Sequence, residues 1–193
     1  SVHTELSAAA TQLHHNRIEA AKSFELYIQE QMAGLAFSQN KFRADLTYSD
    51  QQFGALGATS IAFKISPNPG EPLHPLAEIA SGGELSRLML AFKTIHSTER
   101  PLSIVFDEID TGIGGEVAHA IANKIADISQ DSQVFCVTHL AQIARRATQH
   151  YFIQKQSDSG ATHIAVSALD DRAKEQELTR MMGGKDMANL INR

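Results

Sequence analysis

The chain has 193 residues, is 42% hydrophobic and carries a formal net charge of −5 with a single cysteine. That length sets one globular domain with a sizeable core as the starting expectation. The charge does not advertise nucleic-acid binding, and one cysteine excludes both a disulfide framework and a cysteine zinc site. The apolar runs are too short to span a membrane, and no secretory signal pattern stands at the N-terminus. The lone Cys136 lies inside an apolar run, so a reducing cytoplasm is the expected setting.

In chain order, residues 4–37 contain no proline and no glycine before Gly34. Phe24, Ile28, Met32 and Leu35 keep helical spacing, and Leu6 and Leu13 lie one heptad apart. This predicts a long helix whose first part is polar enough to be one strand of a coiled coil. Phe42, Ala44, Leu46 and Tyr48 alternate, as do Ile61, Phe63 and Ile65, which predicts two strands joined by a glycine-containing loop. "SPNPGEPLHP" reads as a loop, with four of the five prolines.

"SGGELSRLMLAF" follows. Ser81 and Glu84 have capping-box spacing, and Leu85, Leu88, Met89 and Phe92 predict one buried helical face. Gly82 and Gly83 need another reason, because each costs about 1 kcal/mol relative to Ala inside a helix. Bare N–H groups at the positive end of a helix suit phosphate. Arg87, one turn along, reads as a solvated surface residue.

"PLSIVFDE" predicts a buried parallel strand that delivers Asp107 and Glu108 at its carboxyl end, where ligands bind in open α/β sheets. Neighbouring carboxylates on an extended strand point apart. One suits Mg²⁺, through its waters, and the other suits orienting or deprotonating an attacking water; the alternative is that both merely mark a strand end. After the loop "TGIGGE", Val117, Ile121 and Ile125 predict a helix. "QVFCVTHL" predicts a second buried strand, ending at His139, followed by a short helix through Ala144. A structural hydrogen-bonding role is the alternative for His139, and an Asx-type loop residue is the alternative for Asp110. "YFIQKQ" and "THIAVSAL" read as strands around the turn "SDSG". Residues 171–182 read as a closing helix stopped by Gly183 and Gly184. The alternation through the middle of the chain predicts an α/β fold with a largely parallel sheet flanked by helices.

The order of these motifs resembles the C-terminal half of an ABC-type ATPase head. Ser81 to Glu84 look like the signature motif, Ile104 to Glu108 like Walker B, Asp110 to Gly112 like the D-loop, and His139 like the switch histidine. "NPGEPLHPLAEIASGGELSRLMLAFK", "FDEIDTGIGGEVAHAIA", "VTHLAQIA" and "LTRMMGG" resemble the RecN family of SMC-like bacterial DNA-repair ATPases over most of residues 60–184. ABC transporters usually carry Gln where Glu84 stands, and a different D-loop.

The resemblance implies that Ser81, Gly82, Gly83 and Glu84 cap the γ-phosphate of ATP held on a second head, and that Asp110 joins the two active sites. It implies that Asp107 supports Mg²⁺, Glu108 acts on the hydrolytic water and His139 contacts the γ-phosphate. The chain has no G-x-x-x-x-G-K-[ST] P-loop and no identifiable Q-loop. Its only Gly-Lys, Gly184-Lys185, closes a predicted helix, whose end is the wrong one for phosphate. In SMC-like proteins a coiled coil splits the head, so the implied organisation is the end of a coiled-coil arm over 1–37 and the C-terminal lobe of the head over 38–193. The implied partners are an N-terminal lobe carrying the P-loop, a second copy closing on ATP, and DNA, with a cytoplasmic, nucleoid-associated location and no membrane. Arg145 and Arg146 are candidates for phosphate contacts with DNA. A different SMC- or ABC-type head, and a non-catalytic interaction module, are the alternatives.

Overall fold

A computed structural model describes residues 1–37, 41–66, 70–78, 81–95, 103–158 and 161–184. Pro101 and Leu102 of the expected strand, the end of the "SDSG" turn, and Lys185 lie outside the described residues. The chain divides into two compact units, residues 1–96 and 97–193.

The first unit begins with α1 (Val2–Met32). The antiparallel strands β1 (Phe42–Tyr48), β2 (Thr59–Ile65) and β3 (His74–Pro75) follow, in the spatial order β1-β2-β3. Phe42 faces Ile65, Ala44 faces Phe63, and Tyr48 faces Thr59. The two long strands match their alternation; the two-residue β3 ends the expected proline loop and the 3₁₀ turn Leu76–Glu78 follows it, while residues 67–69 of that loop lie outside the described residues.

The expected stripe of α1 is buried at Ile28 and Met32, and Leu35 continues it beyond the helix. Phe24 joins Phe42, Phe63 and Phe92 in a cluster with ring centroids 5.6–6.1 Å apart. As an edge strand, β1 has backbone groups that need partners, and α1 supplies two. Glu25 Oε1 accepts the Ala44 N–H at 2.8 Å, and Gln29 Nε2 donates to the Phe42 carbonyl at 3.0 Å. The polar first half of α1 also has neighbours. His3 packs edge-on to Phe53, Thr11 pairs with the Tyr48 hydroxyl, and His14 reaches Thr59 at 3.1 Å.

Helix α2 (Gly82–Lys93) closes this unit. Its buried residues are Gly83, Arg87, Leu88, Leu90 and Ala91, while Leu85 and Met89 are exposed. The stripe predicted from Leu85, Leu88, Met89 and Phe92 is therefore turned round the helix. Small residues at 83 and 91 permit close approach on the buried side, and the long stem of Arg87 fills the space between them. The expectation of a solvated Arg87 is overturned: it is only 6% exposed, and its guanidinium lies 6.0 Å from the centroid of the Phe37 ring.

The second unit is built on two parallel strands, β4 (Ser103–Phe106) and β5 (Gln133–Cys136), with Ser103 opposite Gln133 and Phe106 opposite Cys136. The crossover is α3 (Gly115–Ile128), which buries Ala118, Ile121, Ala122 and Ile128. The four-residue α4 (Ala141–Ala144) packs on α3. Next come the antiparallel hairpin β6 (Tyr151–Asp158) and β7 (Ala161–Ala168), then α5 (Asp171–Met181). Asp170 caps α5 by accepting the Ala173 N–H at 2.8 Å. Gly183 ends that helix at φ +79°, and a Cβ on Gly184 would lie 2.5 Å from Thr179 Cγ2, so both glycines of the stop are required.

The α/β class holds, and the parallel pairing it called for is carried, among the described residues, by β4 and β5. Burial of those strands is one-sided. Phe106 is buried, while Val105 is 67% exposed, with Phe135 and Val137 exposed beside it. Parallel sheets ordinarily have both faces covered. No described helix is long and apolar enough to cross a membrane.

Candidate functional site

The candidate residues fall in both units. In the first, Ser81 is the N-cap of α2 in extended geometry, φ −120° and ψ 136°, and its Oγ accepts the Glu84 N–H at 3.2 Å. The capping half of the Ser81–Glu84 reading is thus realised. Gly82 is exposed and Gly83 buried, so the two glycines differ in surroundings. Ile79 and Ala80, which precede the motif, lie outside the described residues. Burial lowers the pKa of Arg87, and the nearby Glu84 carboxylate opposes that shift.

In the second unit, β4 and β5 run parallel and in register, so Asp107 and His139 both follow the carboxyl end of this two-stranded sheet. Asp107 and Glu108 are exposed. They do not continue an extended strand: β4 ends at Phe106, and Glu108 takes φ +55°, the left-handed region that a residue with a Cβ seldom enters. The Glu108 N–H donates to Asp107 Oδ1 at 2.9 Å. The pleat of an extended strand therefore does not set the relation of the two carboxylates.

Asp110 is buried, only 4% exposed. Its Oδ2 accepts the Thr138 hydroxyl and, at 2.8 Å, the His139 backbone N–H, and lies 3.1 Å from His139 Nδ1. Thr138 Oγ1 in turn accepts the Leu140 N–H at 3.0 Å. The carboxylate expected to reach a second active site is committed within its own chain. The sequence paired Thr138 with His139 but carried no signal that Asp110, 28 residues earlier, would bind both. His139 itself is 73% exposed at the side chain.

Burial, with Asp110 and Asp107 adding to it, pushes the Cys136 thiol up to about 12. A thiol kept neutral in this way suits a structural cysteine. His150 is buried and bonded through Nε2 to the Ala144 carbonyl at 2.7 Å, a structural tie. Arg145 and Arg146 are exposed after α4, and Arg146 is held by Asn123. Among the described residues, no group of three or more His, Cys, Asp or Glu side chains could hold a metal ion. Asp107 is an exposed hard oxygen donor, and one carboxylate fits an ion that keeps most of its waters.

No protein-family model matches the chain. It is 42% identical over 188 residues to the DNA repair protein RecN of Halalkalibacterium halodurans, covering 95% of this chain and 33% of that protein. It is 47% identical over 138 residues to RecN of Bacillus subtilis, covering 71% and 24%, and 36% identical over 182 residues to RecN of Vibrio cholerae, covering 93% and 33%. Among solved structures, the Smc head domain with a coiled coil and joint from Pyrococcus yayanosii aligns with TM-score 0.56 at 19% identity, over 84% of this chain and 30% of that one. The Smc head from Pyrococcus furiosus bound to the C-terminal domain of ScpA gives TM-score 0.51 at 19% identity, over 84% and 39%. At those identities the likeness establishes the fold, that of an ABC-type SMC head. The similarity to these relatives covers 71–95% of the chain, and the chain belongs with the RecN family, of whose members it spans one third or less.

Proposed function

We propose that this chain is the C-terminal lobe of an ATPase head in a RecN-like DNA-repair protein. In this reading it supplies the signature turn, the Walker B acids and the switch histidine, and an N-terminal lobe supplies the P-loop. The observation that carries the reading is the end of the parallel pair. Asp107, Glu108 and His139 all follow the carboxyl ends of the paired strands, and a glutamate occupies φ +55°, where glycine or asparagine would fit with less strain. Strain kept at an exposed acid points to a function for that acid.

Bound MgATP supplies the phosphoryl group to be cleaved and the cation that neutralises it. Asp107 offers a carboxylate oxygen toward the metal's water shell. Glu108 orients an attacking water and takes its proton. His139, at the end of the neighbouring strand, contacts the terminal phosphate. Ser81 Oγ and the N–H groups of Gly82 and Gly83 open α2 toward a phosphate on an opposing head, where the helix dipole adds attraction. The exposed apolar strip Val105, Phe135 and Val137 supports a missing lobe that completes the sheet. In the same reading α1 is the returning end of a coiled-coil arm. Head closure would move that arm, and DNA contacts, wherever they lie, would go through phosphates and weaken steeply with salt.

The test is steady-state ATP hydrolysis by this chain, by the chain mixed with the P-loop lobe of the same protein, and by that mixture with Glu108→Gln. Hydrolysis is expected only in the wild-type mixture, with a loss on the order of 100-fold or more in the variant. Robust hydrolysis by the chain alone would overturn the split-head reading. A fully active Glu108→Gln mixture would overturn the role of Glu108.

A further inference from the structure

We infer that Thr138 is a positioning residue for His139, its hydroxyl fastening the turn that carries the exposed ring. The inference deepens the proposed ATPase reading and rests on it for the histidine's functional meaning, while its structural content stands on the second unit alone. Just past β5, the Val137 N–H still donates to the Phe106 carbonyl at 2.9 Å. The next three residues leave the ladder, yet their polar hydrogens have partners. The Thr138 hydroxyl donates to Asp110 Oδ2, and the His139 N–H donates to the same oxygen at 2.8 Å. The Leu140 N–H donates to Thr138 Oγ1 at 3.0 Å. Leu140 is also the N-cap of α4, and its carbonyl accepts the Ala144 N–H at 3.1 Å.

A hydroxyl has one proton and two lone pairs. Here the proton goes to a buried carboxylate, and a lone pair takes the N–H two residues on. Thr138 is thus bonded to Asp110 on one side of the histidine and to Leu140 on the other, a hydroxyl turn that closes over His139. Its γ-methyl adds stiffness, because a β-branched side chain has little freedom at χ1. His139 has its backbone fixed on both sides while its side chain is 73% exposed. The ring supplies the contact and Thr138 supplies its location, whichever protonation state the imidazole takes. Misplacing a reacting or stabilising group by about 1 Å can cost on the order of 100-fold in rate, so the fastening has a consequence for hydrolysis.

Thr138→Val keeps the shape and loses the hydroxyl, whereas Thr138→Ser keeps the hydroxyl and loses the methyl. Amide hydrogen exchange of the full chain, followed by NMR, reads the turn without nucleotide. The Leu140 amide is expected to be protected in the wild type and in Thr138→Ser. In Thr138→Val it should exchange about fivefold faster or more, with the amides of α3 unchanged. In the mixture with the P-loop lobe, Thr138→Val should lower kcat on the order of tenfold at near-wild-type KM, and Thr138→Ser should recover most of the loss. A freely exchanging Leu140 amide in the wild type would overturn the inference without any variant having to fold. So would Leu140 protection that valine leaves unchanged. Equal kcat in the valine and serine variants would overturn the positioning role. The exchange readings do not depend on hydrolysis, so failure of the ATPase reading and failure of this one are told apart.

Discussion

Replacing Glu108 with glycine should stabilise the chain relative to replacing it with alanine, the reverse of the usual order. At most positions glycine is worse than alanine by about 0.5–1 kcal/mol, because the unfolded chain gains freedom. At φ +55° an alanine keeps the clash between Cβ and the carbonyl, a cost of about 1–2 kcal/mol for an L-residue in the left-handed region. The side chain is exposed, so neither substitution opens a cavity. Taken at their midpoints the two effects leave glycine ahead by about 0.75 kcal/mol. For a chain of this size that is about 1.5–3 °C in melting temperature, at about 2–4 °C per kcal/mol. Thermal denaturation of Glu108→Gly, Glu108→Ala and Glu108→Gln, followed by circular dichroism, should rank glycine highest, with alanine and glutamine near the wild type. A glycine variant melting at or below the alanine variant would mean that no strain is stored at this residue. The argument that a function keeps the glutamate there would go with it.

Ser81→Ala should cost about 1 kcal/mol through loss of the cap on α2, and Ser81→Asn should recover most of it; urea unfolding checks both. Arg87→Ala should destabilise more than Arg87→Met, because methionine replaces the buried stem and alanine leaves a void; an equal effect in melting experiments would mean that charge, not packing, holds the residue. Cys136 should resist alkylation at pH 8 in the folded chain and react at once in denaturant, as a thiol held near 12 is neutral there. Its raised pKa also sets a sign. The contribution is fully present below the ordinary thiol value of 9.0 and is lost as pH rises toward 12. Stability should therefore fall across that window, and less so in Cys136→Ala.

Legibility followed periodicity. The two long antiparallel strands of the first unit, the crossover helix α3 and the capped stop of α5 were readable, because alternation, helical spacing and a glycine pair each name one local structure. Helix α2 was readable as a helix and misread as a surface. Leu85 and Met89 of the expected stripe are exposed, while the buried side joins Leu88 and Leu90 to Gly83, Arg87 and Ala91. A pattern method that counts only apolar residues gives no weight to an arginine stem or a glycine, and here both line the buried stripe.

The candidate site divides in the same way. Asp107, Glu108 and His139 were legible because each ends an apolar run, and the end of a run is a statement about sequence. The positive φ at Glu108 was not, because the strand pattern carries no signal for it, and the bonds of Asp110 to Thr138 and His139 were not, because the strand pairing brings those partners in from 28 and 29 residues away. The difference matters for what the site can do. An aspartate free to reach outward would make head closure the event that assembles the histidine's surroundings. One already bonded to the Thr138 hydroxyl and the His139 N–H makes the histidine preorganised before any partner arrives. Closure then has only to bring phosphate to the histidine. Breaking the Asp110 bonds should accordingly change how the histidine's turn is held, and not whether two heads meet. In the reconstituted head, Asp110→Asn should leave ATP-dependent association of the lobes near its wild-type level while hydrolysis falls. Loss of association in step with hydrolysis, measured by sedimentation, would return Asp110 to a role across the dimer.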